Sequence, residues 1–270
     1  MPRDSACEAA LHVAADLGIR VQQPVVLADR NNTLIRLAPA PIVAKVGTSH
    51  FRDARLESLE RELAVGTHLA SRGAPVIPPA REVSPGPHRR QGLTVTLWEY
   101  IQPVADAVPD ARVLKLVHAA LSDFAGPLPW FGVELEDARR LLEPERSPAL
   151  AADDRQFLLS VIDELEPSLP PGGRPLHGSP HADNWLVSAD GPLLFDFETA
   201  CRGPLEWDLV AVADADDELS FTLRRMRSVC VAAKCWVAPE RHPVLREAAE
   251  VHLKLLRRER RGRDSNPRSA

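Results

Sequence analysis

Residues 177 to 198, HGSPHADNWLVSADGPLLFDFE, combine histidine, serine, amide and carboxylate side chains within one short stretch. Asn184 and Asp196 offer oxygen ligands of the kind that Mg²⁺ prefers, and Mg²⁺ shares the rest of its coordination shell with water and phosphate. The stretch therefore predicts a site for a metal ion and a phosphate group. On spacing alone, the alternative is an asparagine cap and a surface aspartate.

The same stretch predicts the element that positions these two residues. NWLVS and LLFDF are short apolar runs on either side of Ala-Asp-Gly-Pro, which is the pattern of a β-hairpin. If the turn centres on Asp190, Asn184 lies opposite Asp196, and directly paired positions are roughly 4.5–5.5 Å apart at Cα. An amide oxygen and a carboxylate then meet at the open end of the hairpin.

Lys45 is the candidate anchor for a phosphate group. It lies in the apolar run PIVAKVG, where alternation places Ile42, Ala44 and Val46 on one face of a strand and Lys45 on the other. With the first face packed on the neighbouring helix, Lys45 points away from that helix, toward a second lobe. The alternative is a lysine that lays its stem on apolar surface and keeps its ammonium group in water.

Two glutamates flank the apolar stripe of the helix that follows. Apolar residues recur at three- and four-residue spacing between 52 and 72, which predicts an amphipathic helix that ends at Gly73. Glu60 and Glu62 lie on opposite edges of that stripe, so either can lean toward Lys45. Solvated glutamates at the edge of a helix are the alternative.

The pattern along the chain predicts an α+β fold. After a short N-terminal helix, residues 24 to 47 predict three short strands, and two more strands after the 52 to 72 helix complete an antiparallel sheet. Beyond Pro103 the pattern is mainly helical, apart from the hairpin. The predicted helices span 110 to 124, 134 to 142, 151 to 166, 205 to 213, 217 to 236 and 243 to 260.

The composition excludes several classes of function. The chain has 270 residues, of which 44% are apolar, and this is enough for a buried core. Its formal net charge of −5 argues against nucleic acid as a partner and favours a small molecule. No apolar run approaches the ~20 residues of a membrane span, and the four cysteines form no C-x-x-C pair, so we expect a cytoplasmic protein without a membrane partner.

From about residue 24 to 213 the chain resembles the aminoglycoside phosphotransferase and choline-kinase-like family, small-molecule kinases with the bilobal protein-kinase fold. HGSPHADN matches the family's His-Gly-x-x-His-x-x-Asn motif, and LFDFE and GPLEWDL follow it, while IVAKV, LERELAVGTHLA and LWEYI match more loosely. The resemblance implies a nucleotide-binding lobe (1–99), a linker (100–104) and a helical lobe with the catalytic and metal site (105–258). Residues 259–270 are expected to be a disordered tail.

The resemblance also implies which residues hold the cofactors ATP and Mg²⁺. Lys45 would bind the α- and β-phosphates and would be oriented by an ion pair with Glu62. The backbone around Glu99 and Ile101 would hydrogen-bond the adenine.

In the helical lobe, the resemblance implies that Asn184 and Asp196 ligate magnesium. The main departure from the family is at the usual catalytic aspartate, two residues after His177, where this chain has Ser179. A neutral serine cannot accept a substrate proton as a carboxylate can, and His181 is a candidate substitute.

The predicted function is therefore an ATP-dependent phosphotransferase that acts on a hydroxyl group of a small molecule. Loss of a general base typically costs roughly 10²–10⁴-fold in rate, so Ser179 need not silence the site. The alternative is a nucleotide-binding pseudokinase with a regulatory or binding role.

Overall fold

The computed structural model describes residues 3–29, 32–48, 52–213, 217–237, 239–240 and 243–264. The chain divides into two compact units, residues 1–128 with 175–201 and residues 129–174 with 202–270. The hairpin that carries the candidate site belongs to the first of these units. The lobe and linker boundaries that the family resemblance implies stay a prediction.

Helices and strands alternate along the first half of the chain, and helices dominate the second half, which confirms the α+β class. In chain order the elements are α1 (Arg3–Asp16), β1 (Val21–Asp29), β2 (Asn32–Pro39), β3 (Ile42–Gly47), α2 (Arg52–Ser71), β4 (His88–Arg90), β5 (Leu93–Glu99), α3 (Ala111–Leu121), α4 (Val133–Leu141), α5 (Ala152–Leu165), β6 (Arg174–Leu176), β7 (Trp185–Ser188), β8 (Gly191–Leu194), β9 (Cys201–Gly203), α6 (Leu205–Leu209), α7 (Glu218–Trp236) and α8 (Pro243–Asp264).

The first unit is built on a five-stranded antiparallel sheet with the order β1-β2-β3-β5-β4. Helix α1 covers one face of it, because its small residues at three- and four-residue spacing allow a close approach to the strands. The resulting core contains Ala6, Ala10 and Val13 together with apolar residues of β2, β3 and β5.

The helices that cover the two faces of β3 differ from our expectation. Ile42, Ala44 and Val46 do pack on a helix, but that helix is α1 and not α2. Lys45 lies on the opposite face and contacts Glu62 of α2. The prediction that Lys45 points away from the following helix is therefore wrong, because both faces of the sheet are covered by helices.

The β7–β8 hairpin is joined by backbone hydrogen bonds to other segments of the first unit. The amide of Leu194 donates to the carbonyl oxygen of Pro75 at 3.0 Å, and the amide of Ile77 donates back to Leu194 at 3.3 Å. On the other strand, the amide of Val104 donates to Val187 at 2.9 Å. These bonds fix the hairpin at both of its strands.

The second unit is helical, and α8 is longer than predicted. It continues to Asp264, so residues 259–264, which we expected in a disordered tail, are helical. Arg257 forms an ion pair with Asp154 of α5, and Arg260 Nη1 donates to the hydroxyl of Ser160 at 3.0 Å. These contacts hold the Arg-rich end of α8 against α5. Composition alone had suggested that this end was solvated. Residues 265–270 lie outside the described residues.

Within the ranges that the structure describes, no helix is both long enough and apolar enough to cross a membrane.

Candidate active site

The centre of the candidate site is the side chain of Lys45, of which only 5% is exposed. Its Nζ atom donates to both carboxylate oxygens of Glu62, at 2.8 and 2.7 Å. The same atom lies 2.9 Å from Oδ1 of Asp196 and 2.6 Å from Oε1 of Glu198. One ammonium group from β3 is thus surrounded by three carboxylates, one from α2 and two from the segment after β8.

The charges in this cluster shift the pKa values of its members. Burial lowers the pKa of Lys45, but Asp196, Glu198 and Glu62 outweigh burial and raise that pKa well above its ordinary value. Burial raises the pKa of Glu62, against the charge of Lys45. For Asp196, burial opposes Lys45, whose charge and hydrogen bond hold the pKa below its ordinary value. With three carboxylates around one ammonium group, the cluster has more negative than positive charge.

The three carboxylates form an arrangement that fits a divalent cation. Glu62, Asp196 and Glu198 each offer one oxygen, and these oxygens all lie within 4.8 Å of one another. Hard oxygen donors with excess negative charge suit Mg²⁺, which usually binds one or two carboxylates and completes its shell with water and phosphate. The donor set therefore fits the metal that the sequence predicted.

The hairpin register differs by one residue from our expectation. The observed pairs run from Trp185 opposite Leu194 to Ser188 opposite Gly191, so the loop contains two residues and is not centred on Asp190. Asn184 consequently lies opposite Phe195, whose amide donates to the Asn184 carbonyl oxygen at 3.0 Å. The prediction that Asn184 pairs with Asp196 is wrong by this one step.

A local change in backbone conformation follows the hairpin at Asp196. This residue adopts the left-handed conformation, with φ 68° and ψ 64°, and caps the short helix Phe197–Thr199. Aspartate is among the residues that tolerate this conformation. β8 ends at Leu194, and the turn in the backbone at Asp196 lets its carboxylate reach Lys45, although Asp196 is one residue out of register with Asn184.

Asn184 is buried, and its side-chain amide is held by its own loop. Nδ2 donates to the carbonyl oxygen of Ser179 at 2.8 Å and lies 3.4 Å from Nε2 of His181. These contacts use the amide hydrogens and orient the side chain. The oxygen Oδ1 is the atom that remains suited to a metal ion.

His177 and Gly178 fix the start of this loop. His177 is fully buried, its Nε2 donates to the Phe195 carbonyl oxygen at 2.9 Å, and its Nδ1 accepts from the Ser179 amide at 3.1 Å. Gly178 has φ 90°, and a Cβ atom there would lie 1.9 Å from the Thr199 carbonyl oxygen. The His-Gly pair therefore holds the loop against the segment that contains Asp196, and only glycine fits the second position.

Ser179 and His181 are more accessible than His177 and Gly178 of the same loop. Ser179 is half-buried and His181 is exposed. The Ser179 carbonyl oxygen accepts from the His181 amide at 2.9 Å and from Asn184. The structure thus places both residues beside the Asn184 amide.

The segment after β5 contains the predicted adenine contacts. The amide of Glu99 donates to Pro78 at 3.0 Å, and the amide of Tyr100 donates to Pro41 at 2.8 Å. The backbone N–H of Ile101 makes no hydrogen bond to any other described residue. This donor is therefore available to a ligand.

Three further residues belong to the site that we did not predict from sequence. Glu198 accepts a hydrogen bond from Asn32 Nδ2 at the start of β2, in addition to its contact with Lys45. Arg61, next to Glu62 on α2, donates to the Glu198 carbonyl oxygen from Nε at 3.2 Å and from Nη2 at 2.6 Å. The motif LFDFE contains Glu198, so its carboxylate two residues after Asp196 was the available sequence signal.

The sequence also matches a family model over most of its length. The model describes a "Phosphotransferase enzyme family" and matches residues 28–229. The chain belongs to this family. The resemblance that the sequence motifs predicted is confirmed. Among curated proteins, no sequence matches this phosphotransferase-family chain.

Solved structures confirm the protein-kinase-like fold of this family member. Amicoumacin kinase hAmiN, in complex with AMP-PNP, Ca²⁺ and Ami, has a TM-score of 0.65 and 14% identity and covers 96% of each chain. The GDP and kanamycin complex of APH(2")-IIIa has a TM-score of 0.62 and 17% identity over 94% of this chain and 99% of that chain. Choline kinase LicA from Streptococcus pneumoniae has a TM-score of 0.62 and 12% identity over 92% and 98% of the two chains.

Proposed function

We propose that this protein is an ATP- and Mg²⁺-dependent phosphotransferase that phosphorylates a hydroxyl group of a small molecule. The observation that carries the proposal is the buried Lys45, whose ammonium group is held by Glu62 and also contacts Asp196 and Glu198. Lys45 and Glu62 are buried, and Asp196 and Glu198 are partly buried, so an excess of negative charge here is costly and a bound cation would balance it. A metal-bound nucleotide brings that cation together with phosphates for Lys45.

Each charged residue has a proposed part in holding the nucleotide. Lys45 would bind phosphate oxygens, and Glu62 would keep its ammonium group in place. Asp196 and Asn184 would hold the metal, and the structure adds Glu198 as a third candidate ligand. The metal would supply positive charge that neutralises the transferring phosphoryl group.

The backbone at Glu99 and Ile101 is the proposed site for the base. The N–H of Ile101 is the donor there, since it makes no hydrogen bond within the described part of the chain. A purine ring nitrogen would accept from it. The similar structures include complexes with AMP-PNP and with GDP, so both ATP and GTP belong in any test.

The loop from 177 to 184 is the proposed catalytic loop. His177 would act as a positioning residue, because it is fully buried with both ring nitrogens hydrogen-bonded. His181 is the candidate proton acceptor, since it is exposed beside Asn184. Ser179 occupies the base position of the family without the ability to accept a proton at neutral pH.

A nucleotide-binding pseudokinase is the second candidate function, and Ser179 is the observation that favours it. Phosphoryl transfer depends mainly on positioning and on neutralising charge, and the residues proposed for both tasks are others than Ser179. An active enzyme therefore remains the better-supported function. Nucleotide binding does not separate the two candidates, because both require it.

The acceptor is proposed only as a class. The similar solved structures include a kanamycin complex and a choline kinase, and both kanamycin and choline are small molecules with hydroxyl groups and positive charge. A hydroxylated amine is therefore the first class of acceptor to test.

Phosphorylation of a panel of acceptors tests the proposed function. The protein is incubated with Mg²⁺, ATP or GTP, and hydroxylated amines, and phosphorylated products are detected by mass spectrometry. We expect a product that requires both metal and nucleotide and that disappears in the Asp196→Asn variant. Nucleotide binding without any phosphorylated acceptor supports the pseudokinase instead.

A further inference from the structure

Ser179 carries a hydroxyl group on a hydrogen-bonded stretch of backbone within the candidate active site. The part of the chain that the structure describes offers this hydroxyl no hydrogen bond. Its backbone amide donates to His177, and its carbonyl oxygen accepts from His181 and Asn184. The side chain is half-buried, so it is open to a ligand in the site.

The neighbours of Ser179 restrict the hydroxyl to a small region. Pro180 fixes its own φ angle on one side, and Gly178 is held against Thr199 on the other. Rotation about the Cα–Cβ bond offers three staggered positions for the oxygen. The hydrogen bond from the Asn184 amide to the Ser179 carbonyl oxygen holds this residue beside a candidate metal ligand.

The loop with Ser179 is also tied to the second candidate ligand. His177 Nε2 donates to the carbonyl oxygen of Phe195, the residue before Asp196. The ring of His177 also packs on the ring of Phe197, the residue after Asp196, with centroids 4.5 Å apart. The serine hydroxyl thus belongs to a loop that contains Asn184 and that is hydrogen-bonded to the residue before Asp196.

We propose that Ser179 is itself a phosphate acceptor, so that the protein phosphorylates its own active-site loop from a bound nucleoside triphosphate. A lone pair of Oγ attacks the γ-phosphorus, and an Oγ–P bond forms. The bond from that phosphorus to the bridging oxygen of the β-phosphate breaks, and the nucleoside diphosphate leaves with the electron pair. The hydroxyl proton passes to water, and the product is phosphoserine.

Proximity favours this reaction over transfer to a dissolved acceptor. The absence of a carboxylate base slows either reaction by roughly 10²–10⁴-fold. Well-oriented intramolecular groups reach effective molarities of about 10⁵–10⁸ M, which a dissolved acceptor cannot match. An acceptor in the same chain also needs no separate binding step, and this advantage acts against the loss of the base. The reaction stops at one phosphate per chain, because the acceptor is then used.

The proposal rests on the proposed function, since it needs Mg²⁺ and a nucleotide bound at Lys45 and Asp196. Purified protein is treated with phosphatase, repurified, incubated with Mg²⁺ and ATP or GTP, and analysed by intact mass and by peptide mapping. We expect a gain of about 80 Da, one phosphate, located on Ser179. The rate per molecule should not depend on protein concentration, because the reaction is intramolecular.

Variants separate this site from other serines. Ser179→Ala should abolish the mass gain, and Ser179→Thr, which keeps a hydroxyl, should retain it. Asp196→Asn should abolish it by removing a metal ligand. Ser71→Ala is the matched control, because the Ser71 hydroxyl is exposed and bonded to the His68 carbonyl oxygen at the end of α2, and its mass gain should equal that of the wild type.

Each outcome either supports or overturns the proposal. Phosphate on another residue, or an unchanged mass gain in Ser179→Ala, overturns it. If the wild type gains no phosphate but Mg²⁺ and ATP raise its melting temperature, autophosphorylation is refuted while the proposed nucleotide site stands. If neither nucleotide changes the melting temperature or the mass, the proposed function fails and this proposal fails with it.

Discussion

Lys45 and Glu62 form a buried ion pair in which Nζ donates to both carboxylate oxygens, at 2.8 and 2.7 Å. The pair joins β3 to α2, so it fixes the ammonium group relative to the helix. Glu60, only two residues earlier, is exposed, while Glu62 is 2% exposed. Local periodicity did not distinguish the two glutamates, but the fold separates them completely.

The first prediction compares these two glutamates. Glu62→Gln should weaken Mg·ATP binding by about tenfold or more, because a charge-assisted hydrogen bond to Lys45 is worth about 1.5–3 kcal/mol. Glu60→Gln is the matched control and should leave affinity unchanged. Titration calorimetry checks both. A larger loss in Glu60→Gln than in Glu62→Gln would mean that α2 is rotated from the observed orientation.

The second prediction concerns Glu198. Three carboxylates surround one ammonium group, so Glu198→Gln should leave the ligand-free protein as stable as the wild type or more stable. The same change should weaken Mg²⁺-dependent nucleotide binding by about tenfold, or 1.4 kcal/mol, if Glu198 ligates the metal. Thermal melts with and without Mg·ATP measure both effects. Unchanged nucleotide binding would remove Glu198 from the metal site.

The third prediction concerns Gly178. Alanine with a positive φ costs about 1–2 kcal/mol, and the clash of its Cβ atom with the Thr199 carbonyl oxygen should add about 1–3 kcal/mol. Gly73→Ala is the matched control, because Gly73 has φ 64° and no atom lies within 4 Å of its Cβ position. Urea unfolding should show a larger loss of stability for Gly178→Ala. Equal losses would show that the loop is not held against Thr199.

Sequence patterns predicted the local elements well. The strands of the sheet, the helix over 52 to 72 and the hairpin were recognisable because each has its own periodicity or turn residues. The hairpin register was less predictable, because Ala-Asp-Gly-Pro allows more than one loop placement. Asp196 adopts the left-handed conformation, and its carboxylate contacts Lys45 despite the shifted register. No local sequence pattern indicated this conformation.

The contacts that complete the site could not be predicted, since they join residues far apart in sequence. Asn32 and Arg61 both reach Glu198 from distant elements. The face of the sheet that packs against α2 could not be predicted either. Alternation in β3 defines two faces but does not indicate which helix covers each of them. In the structure, α1 covers the face with Ile42, Ala44 and Val46, so Lys45 lies on the face toward α2.

The fourth prediction concerns catalysis at position 179. Ser179→Asp introduces a carboxylate that can accept the proton of an incoming hydroxyl, so phosphoryl transfer to acceptor or water should rise by up to roughly 10²–10⁴-fold. Release of nucleoside diphosphate measures the rate. If Ser179→Asp instead slows a wild-type enzyme that is already active, the protein uses another base. A collapse of activity in His181→Ala would then identify His181.

The central claim is that a metal-bound nucleotide binds at Lys45 and Asp196, and thermal stability with Mg·ATP tests it most directly. At about 100 times the dissociation constant, bound nucleotide should add roughly 2.7 kcal/mol to the free energy of unfolding of the wild type. The gain should require Mg²⁺ and should be lost in Asp196→Asn and in Lys45→Met. No gain in the wild type, or an undiminished gain in both variants, would contradict the claim.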